Sequence, residues 1–113
     1  MKLKSEAKKY FKNFSLKKIT NLEKMFAKSI TLRDWNIDVK GINNVIKANK
    51  RIFNDCKKIN VKPLDLKVIK NTVFAEISIT IDKKKLLVLD ILEFNKKKKI
   101  TSIKAFLGSK FPY

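Results

Sequence analysis

The chain has 113 residues, 44% of them hydrophobic, and a formal net charge of +18. That length fits a single domain over residues 1–113, and that apolar content supports a packed core, not a disordered chain. Without histidine, Ser-His-Asp and Cys-His arrangements are excluded. A single cysteine excludes a closed zinc site, and two glycines exclude a Walker A or Gly-x-Gly-x-x-Gly loop.

The charge comes from 26 lysines and only two arginines, Arg33 and Arg51. Nucleic acid or an anionic membrane surface would be the matching partner. However, the lysines are spread along the whole chain, and the arginine fork that suits phosphates and bases is nearly missing. The chain is also rich in Asn, Ile and Phe, as an AT-rich coding bias produces. The expectation is no specific nucleic-acid site, only weak, salt-sensitive binding from charge. No apolar run approaches the roughly 20 residues of a membrane helix, so no membrane insertion is expected. The stretch Met1–Glu6 lacks an apolar signal core, so no targeting peptide is expected. The lone Cys56 fits a reducing compartment, and the cytoplasm is the expected location. No cofactor is expected.

In chain order, Ser5 is placed to cap a first helix carrying Ala7, Tyr10, Phe11 and Phe14 at helical spacing. Ser15 is placed to cap a second, with Leu16, Ile19, Leu22, Met25 and Phe26 as its stripe and Lys17, Lys18 and Lys24 facing out. Ser29–Trp35 reads as a short edge strand and Asn36–Lys40 as a loop. Gly41 precedes a third amphipathic helix, with Ile42, Val45, Ile46, Asn49, Ile52, Phe53 and Cys56 on one side. Asn60–Pro63 reads as a turn. From Leu64 the period becomes 2: Leu64–Val68, Val73–Ile81, Lys85–Phe94 and Ile100–Leu107 alternate as strands, with connections short enough for hairpins. Helices followed by an antiparallel meander make an α+β pattern, and a bent sheet wrapped on helices leaves a concave face suited to a small-molecule pocket.

Lys85–Phe94 contains the anomaly. Leu86, Val88, Asp90, Leu92 and Phe94 share one face, so Asp90 sits mid-strand in an apolar row. A carboxyl there must find partners or become neutral. Leu87, Leu89 and Ile91 form a second apolar row on the opposite face, which needs cover; a symmetric homodimer would supply it.

The order of helix, helix, a strand ending in Arg33-Asp34-Trp35, Gly41-Ile42 opening a third helix, and then a meander resembles the nuclear transport factor 2-like superfamily. That group includes SnoaL-like proteins and ketosteroid isomerase. Met25–Asp34 resembles the family's exit from its second helix, and Leu89–Asn95 with Ile100 and Ala105-Phe106 resembles its closing hairpin. The resemblance implies a cone-shaped, cystatin-like fold, with N-terminal helices packed on a curved, mainly antiparallel sheet. It also implies the dimer, since relatives commonly pair through the sheet. Set against ketosteroid isomerase, Asp34 matches the general base, Tyr10 the oxyanion-hole tyrosine and Asp90 the protonated oxyanion-hole acid. Phe14, Phe26, Trp35, Phe53, Val88, Leu92 and Phe106 are the implied pocket lining. Trp35 stands where the isomerase has proline.

Two readings stay open. One is a small-molecule-binding protein whose pocket takes a hydrophobic or carbonyl-bearing compound and supports proton transfer (isomerisation) on it. The alternative is a non-catalytic binding module whose lysine-rich surface meets an acidic partner.

Overall fold

The meander begins at Ile59, ahead of the change of period expected at Leu64. In the computed structural model, which describes residues 2–111 (Phe111 by its backbone), the order is α1 (Leu3–Ser15), α2 (Ile19–Met25), β1 (Phe26–Arg33), β2 (Asp38–Lys40), α3 (Ile42–Asn54), β3 (Ile59–Ile69), β4 (Thr72–Ile81), β5 (Lys84–Phe94) and β6 (Ile100–Phe111). Met1, Pro112 and Tyr113 of the expected domain lie outside the described residues. The strands form one sheet in the order β2-β1-β6-β5-β4-β3, antiparallel except for the parallel β1–β6 pair. The sheet is curved, with the helices packed on its concave side. No helix among the described residues is long and apolar enough to cross a membrane.

The core is the sum of the inward rows. Phe11 of α1, Leu22 of α2, Ile30 of β1, Val45 of α3, Val73 of β4, Leu92 and Phe94 of β5 and Ile100 of β6 are all fully buried. On β5 the inward row is Val88, Asp90, Leu92 and Phe94, with Leu86 half-buried at its outer end, so the phase expected for Asp90 holds.

Five local expectations need correction. The first helix begins at Leu3, ahead of Ser5, because Leu3 is buried and extends the apolar stripe by a turn; Lys2 is its N-cap, without a side-chain cap. Ser15 does not cap α2. It closes α1, its hydroxyl donating to the Phe11 carbonyl (2.9 Å) and accepting from the Val61 N–H (2.8 Å), which docks β3 on the helix. Leu16 is exposed and α2 starts later, at Ile19. The strand around Ser29–Arg33 is not an edge, because Asp38–Lys40, read as loop, folds back on it as β2 and takes the edge itself. Asn60–Pro63 is the first half of β3: that strand is the other edge, where a proline costs no ladder bond, and the register shifts immediately after Pro63.

Lys17 also departs from its expected outward position. It adopts a left-handed φ of 56° in the α1–α2 turn and sends its ammonium to the C-terminal end of α3. There it donates to the carbonyls of Phe53 (2.9 Å), Cys56 (2.7 Å) and Lys57 (3.2 Å). A cation at the negative end of a helix, bonded to carbonyls that no helical N–H reaches, is favourable on both counts. Asp82, in the β4–β5 turn, completes the same junction by accepting from the N–H groups of Lys57 and Lys58 (both 2.9 Å), and those bonds hold its pKa below the ordinary carboxylate value. Lys17→Met should lower unfolding stability by about 1–3 kcal/mol in urea titrations, well beyond the near-zero effect of an ordinary surface lysine.

Candidate functional site

The concave face of the sheet, α1, α3 and the β1–β2 turn enclose a cavity of about 420 Å³. Three elements each bring one of the expected groups into it: Tyr10 from α1, Asp34 from the end of β1, and Asp90 from β5. Tyr10 is oriented by an aromatic cluster, with ring centroids 5.4 Å from Phe11, 5.9 Å from Phe14 and 6.2 Å from Phe26.

The two carboxyls differ in their surroundings. Asp34 Oδ1 accepts from the N–H groups of Asn36 and Ile37, both at 2.7 Å, an Asx-type turn that reverses the chain into β2. Its second oxygen carries no such bond among the described residues and is left for the cavity. Asp90 is 7% exposed and has no hydrogen-bond partner in the protein among the described residues. Burial raises its pKa, and the charge of Asp34 raises it further, to about 7. Tyr10, 5% exposed, is pushed well above its ordinary value by burial and by Asp90, so it keeps its proton. The arrangement is therefore one carboxylate facing an acid and a phenol that both carry protons at slightly acid pH. A base and two O–H donors in an apolar space suit proton transfer next to an oxygen that gains negative charge.

Phe14 and Trp35 line this cavity, Trp35 at 39% exposure. The other expected lining residues do not. Val88 and Leu92 flank Asp90 on its own face but are covered by the core. Phe53 lies behind Phe14, stacked edge-on at 4.8 Å, and Phe26 is buried at the start of β1, behind Tyr10. Phe106 is 55% exposed on the convex face, paired with Leu89; the pleat turns its neighbour Ala105 inward instead.

Asn49 of α3 also lines the cavity, although the sequence reading left it as one member of a helical stripe. It is 2% exposed, and its Nδ2 is the buried side-chain atom left without a hydrogen-bond partner among the described residues. The signal was of the same kind as that of Asp90: a polar residue inside an apolar row. A larger, more open groove of about 710 Å³ lies between α1, α2 and the β5–β6 turn, lined by Lys9, Lys12, Lys18, Lys24 and Lys97–Lys99. It offers charge but no enclosed chemistry: the buried amide on its wall, Asn13, is already engaged with Asn21 and Met25.

No family model and no curated protein sequence matches the chain. Solved structures do. A candidate ketosteroid isomerase from Kribbella flavida matches with a TM-score of 0.84 at 11% identity, over 99% of this chain and 82% of that one. A nuclear transport factor 2-like protein of unknown function from Burkholderia xenovorans matches with a TM-score of 0.82 at 11% identity, over 99% and 87%. SalBIII, an epoxide hydrolase/cyclase-like enzyme of pyran ring formation in the polyether salinomycin, matches with a TM-score of 0.78 at 18% identity, over 95% and 91%. The chain has the nuclear transport factor 2-like fold.

The site sets a pH dependence. The folded state holds the Asp90 proton up to about 7, while the unfolded chain releases it near the ordinary aspartate value of 3.8. Stability should therefore fall as pH rises between those values, by up to roughly 4 kcal/mol, and level off above. Asp82 acts in the opposite sense and at lower pH, since its lowered pKa makes stability fall as pH drops through its range. Chemical denaturation from pH 4 to 8 should show the Asp90 slope in the wild-type chain and lose it in Asp90→Asn.

Proposed function

We propose that the cavity binds an apolar small molecule bearing a carbonyl group and moves a proton on it. Asp34 takes a proton from the carbon next to the carbonyl; the electron pair of that C–H bond becomes a C=C bond to the carbonyl carbon, and the π pair of the C=O bond moves onto oxygen. Protonated Asp90 and Tyr10 hold the resulting enolate with two O–H donors. Where the ligand carries a C=C bond one carbon further on, Asp34 returns the proton to the far carbon of that bond and the C=C moves into conjugation with the re-formed carbonyl, which completes an isomerisation. The observation that carries this reading is convergence: three groups from three separate elements meet in one apolar cavity, close enough for the charge of Asp34 to act on Asp90.

The same pair favours a second reaction of the kind named for SalBIII, in which the acid protonates an epoxide oxygen while the carboxylate deprotonates an attacking hydroxyl. The lysine-lined groove is weaker ground for the acidic-partner reading, because it adds no group whose chemistry demands a ligand. We also assign the protein to the reducing cytoplasm, in keeping with the free Cys56.

Exchange of ketone α-protons into deuterated water, followed by NMR, tests the isomerase reading against epoxide opening. Asp34→Asn should reduce exchange by about 10²-fold or more. Asp90→Leu should weaken binding of a phenol used as an enolate mimic, and Asp90→Asn, which keeps a donor, should do so less. Exchange unchanged in Asp34→Asn would overturn the reading.

We assign the convex face to a symmetric dimer. Leu89 and Phe106 pair there across β5 and β6, and both are exposed. Light scattering at micromolar concentration should give twice the chain mass, and Phe106→Lys should give the monomer.

A further inference from the structure

Two members of the cavity wall play no part in that chemistry: Lys84 and Lys110. Their inward placement has separate causes. On β5 the pleat puts Lys84 on the same face as Leu86, Val88 and Asp90. On β6, Ile103, Ala105 and Leu107 pair with Leu92, Asp90 and Val88 on that face. Unbroken alternation would next turn Ser109 inward and Lys110 outward. A register shift intervenes, so that Val88 pairs with Leu107 but Leu87 pairs with Ser109, and Gly108 is left over as a bulge. Lys110 thereby lands opposite Leu86, on the concave face. A Cβ at position 108 would stand 3.1 Å from the Leu87 carbonyl oxygen, so a larger residue fits the bulge only if that backbone gives by a few tenths of an ångström.

The two lysines are thus diagonal neighbours on adjacent strands, a spacing of about 7–8 Å at which like charges repel. Neither has an acidic partner among the described residues, where the one ion pair joins Lys67 and Asp65, elsewhere on β3. Between this rim and Asp90 the wall is aliphatic, made by Ile77, Ile79, Ile81 and Leu86. From Lys84 to Asp90 is six steps along β5, about 20 Å at the usual rise. The inner end already holds the charge of Asp34, which would repel another carboxylate and which already disfavours ionisation of Asp90. An anionic ligand can enter only with its charge at the lysine rim.

We propose that Lys84 and Lys110 bind the carboxylate of an elongated apolar acid whose chain lies along the Ile77–Ile81 and Leu86 wall and whose uncharged oxygen-bearing end reaches Asp90, Tyr10 and Asn49. This names the substrate class for the site proposed above and rests on that cavity being the binding site. The reacting oxygen sits at the deep end, and the unpartnered Asn49 amide supplies a further donor there. The like charges of the rim are relieved when the carboxylate sits between them.

The test is displacement of Nile red, an uncharged fluorophore, by dodecanoate and by dodecanol at neutral pH. Dodecanoate should bind about tenfold tighter than dodecanol, and added salt should erase that advantage without affecting the alcohol. The variant Lys84→Met/Lys110→Met should lose the preference while keeping its affinity for dodecanol. The control Lys47→Met/Lys50→Met, on exposed positions of α3, should keep it. Equal affinity for acid and alcohol in the wild-type chain, or equal losses in the two variants, would overturn the anionic rim and leave the cavity reading standing. Failure of both compounds to displace Nile red would overturn both. Should the double variant not fold, the wild-type comparison of acid, alcohol and salt decides alone.

Discussion

Strand β5 is hydrogen-bonded to β4 on one side and β6 on the other along nearly its whole length, and none of its residues is free to choose a face. A slip of one residue would bring Leu87, Leu89 and Ile91 into the core and expel Val88, Leu92 and Phe94 together. The burial of that apolar row is what holds Asp90 in the cavity. A single carboxyl is costly to desolvate, but it cannot leave without taking its neighbours with it. The unusual acidity of the site is thus imposed by the packing of residues that take no part in the site.

Asp34 and Asp90 meet different backbone surroundings in the same cavity. The first lies at a chain reversal where two backbone N–H groups point at it. The second lies mid-strand, where every backbone N–H is already committed to the sheet. Burial raises the pKa of Asp90, and the nearby charge of Asp34 raises it further. Tyr10 shares the cavity with them and is packed against the rings of Phe11, Phe14 and Phe26, with no side-chain hydrogen bond among the described residues.

The meander was legible because each of its strands has one buried face, and alternation reports that directly. Asp90 was legible for the same reason, and so, in principle, was Asn49, since α3 shows equally strong periodicity. What stayed hidden depended on partners distant in the chain. Asp38–Lys40 is too short to carry a strand signal and becomes one only because β1 offers an edge. Pro63 looks like a breaker until its strand is known to be the sheet's margin. Lys17 looks like any surface lysine until α3 ends beside it. The assignment of Phe106 followed likeness to a family instead of its own phase, one step from the inward Ala105. The bulge at Gly108 breaks alternation within a strand, so no periodic reading could have placed Lys110.

The parallel pair of β1 and β6 has a consequence for how the chain reaches this fold. Arg33 pairs with Lys104, some seventy residues downstream, while the remaining strands meet through short turns. During synthesis the helices and the β1–β2 hairpin emerge first and must wait, with one margin of β1 open, for a strand that is made after the whole β3–β5 meander. The other strand pairs register through local turns, whereas β1–β6 carries the greatest loop-closure entropy of the sheet, and the docking of α1 on β3 is the second long-range join between the helices and the meander.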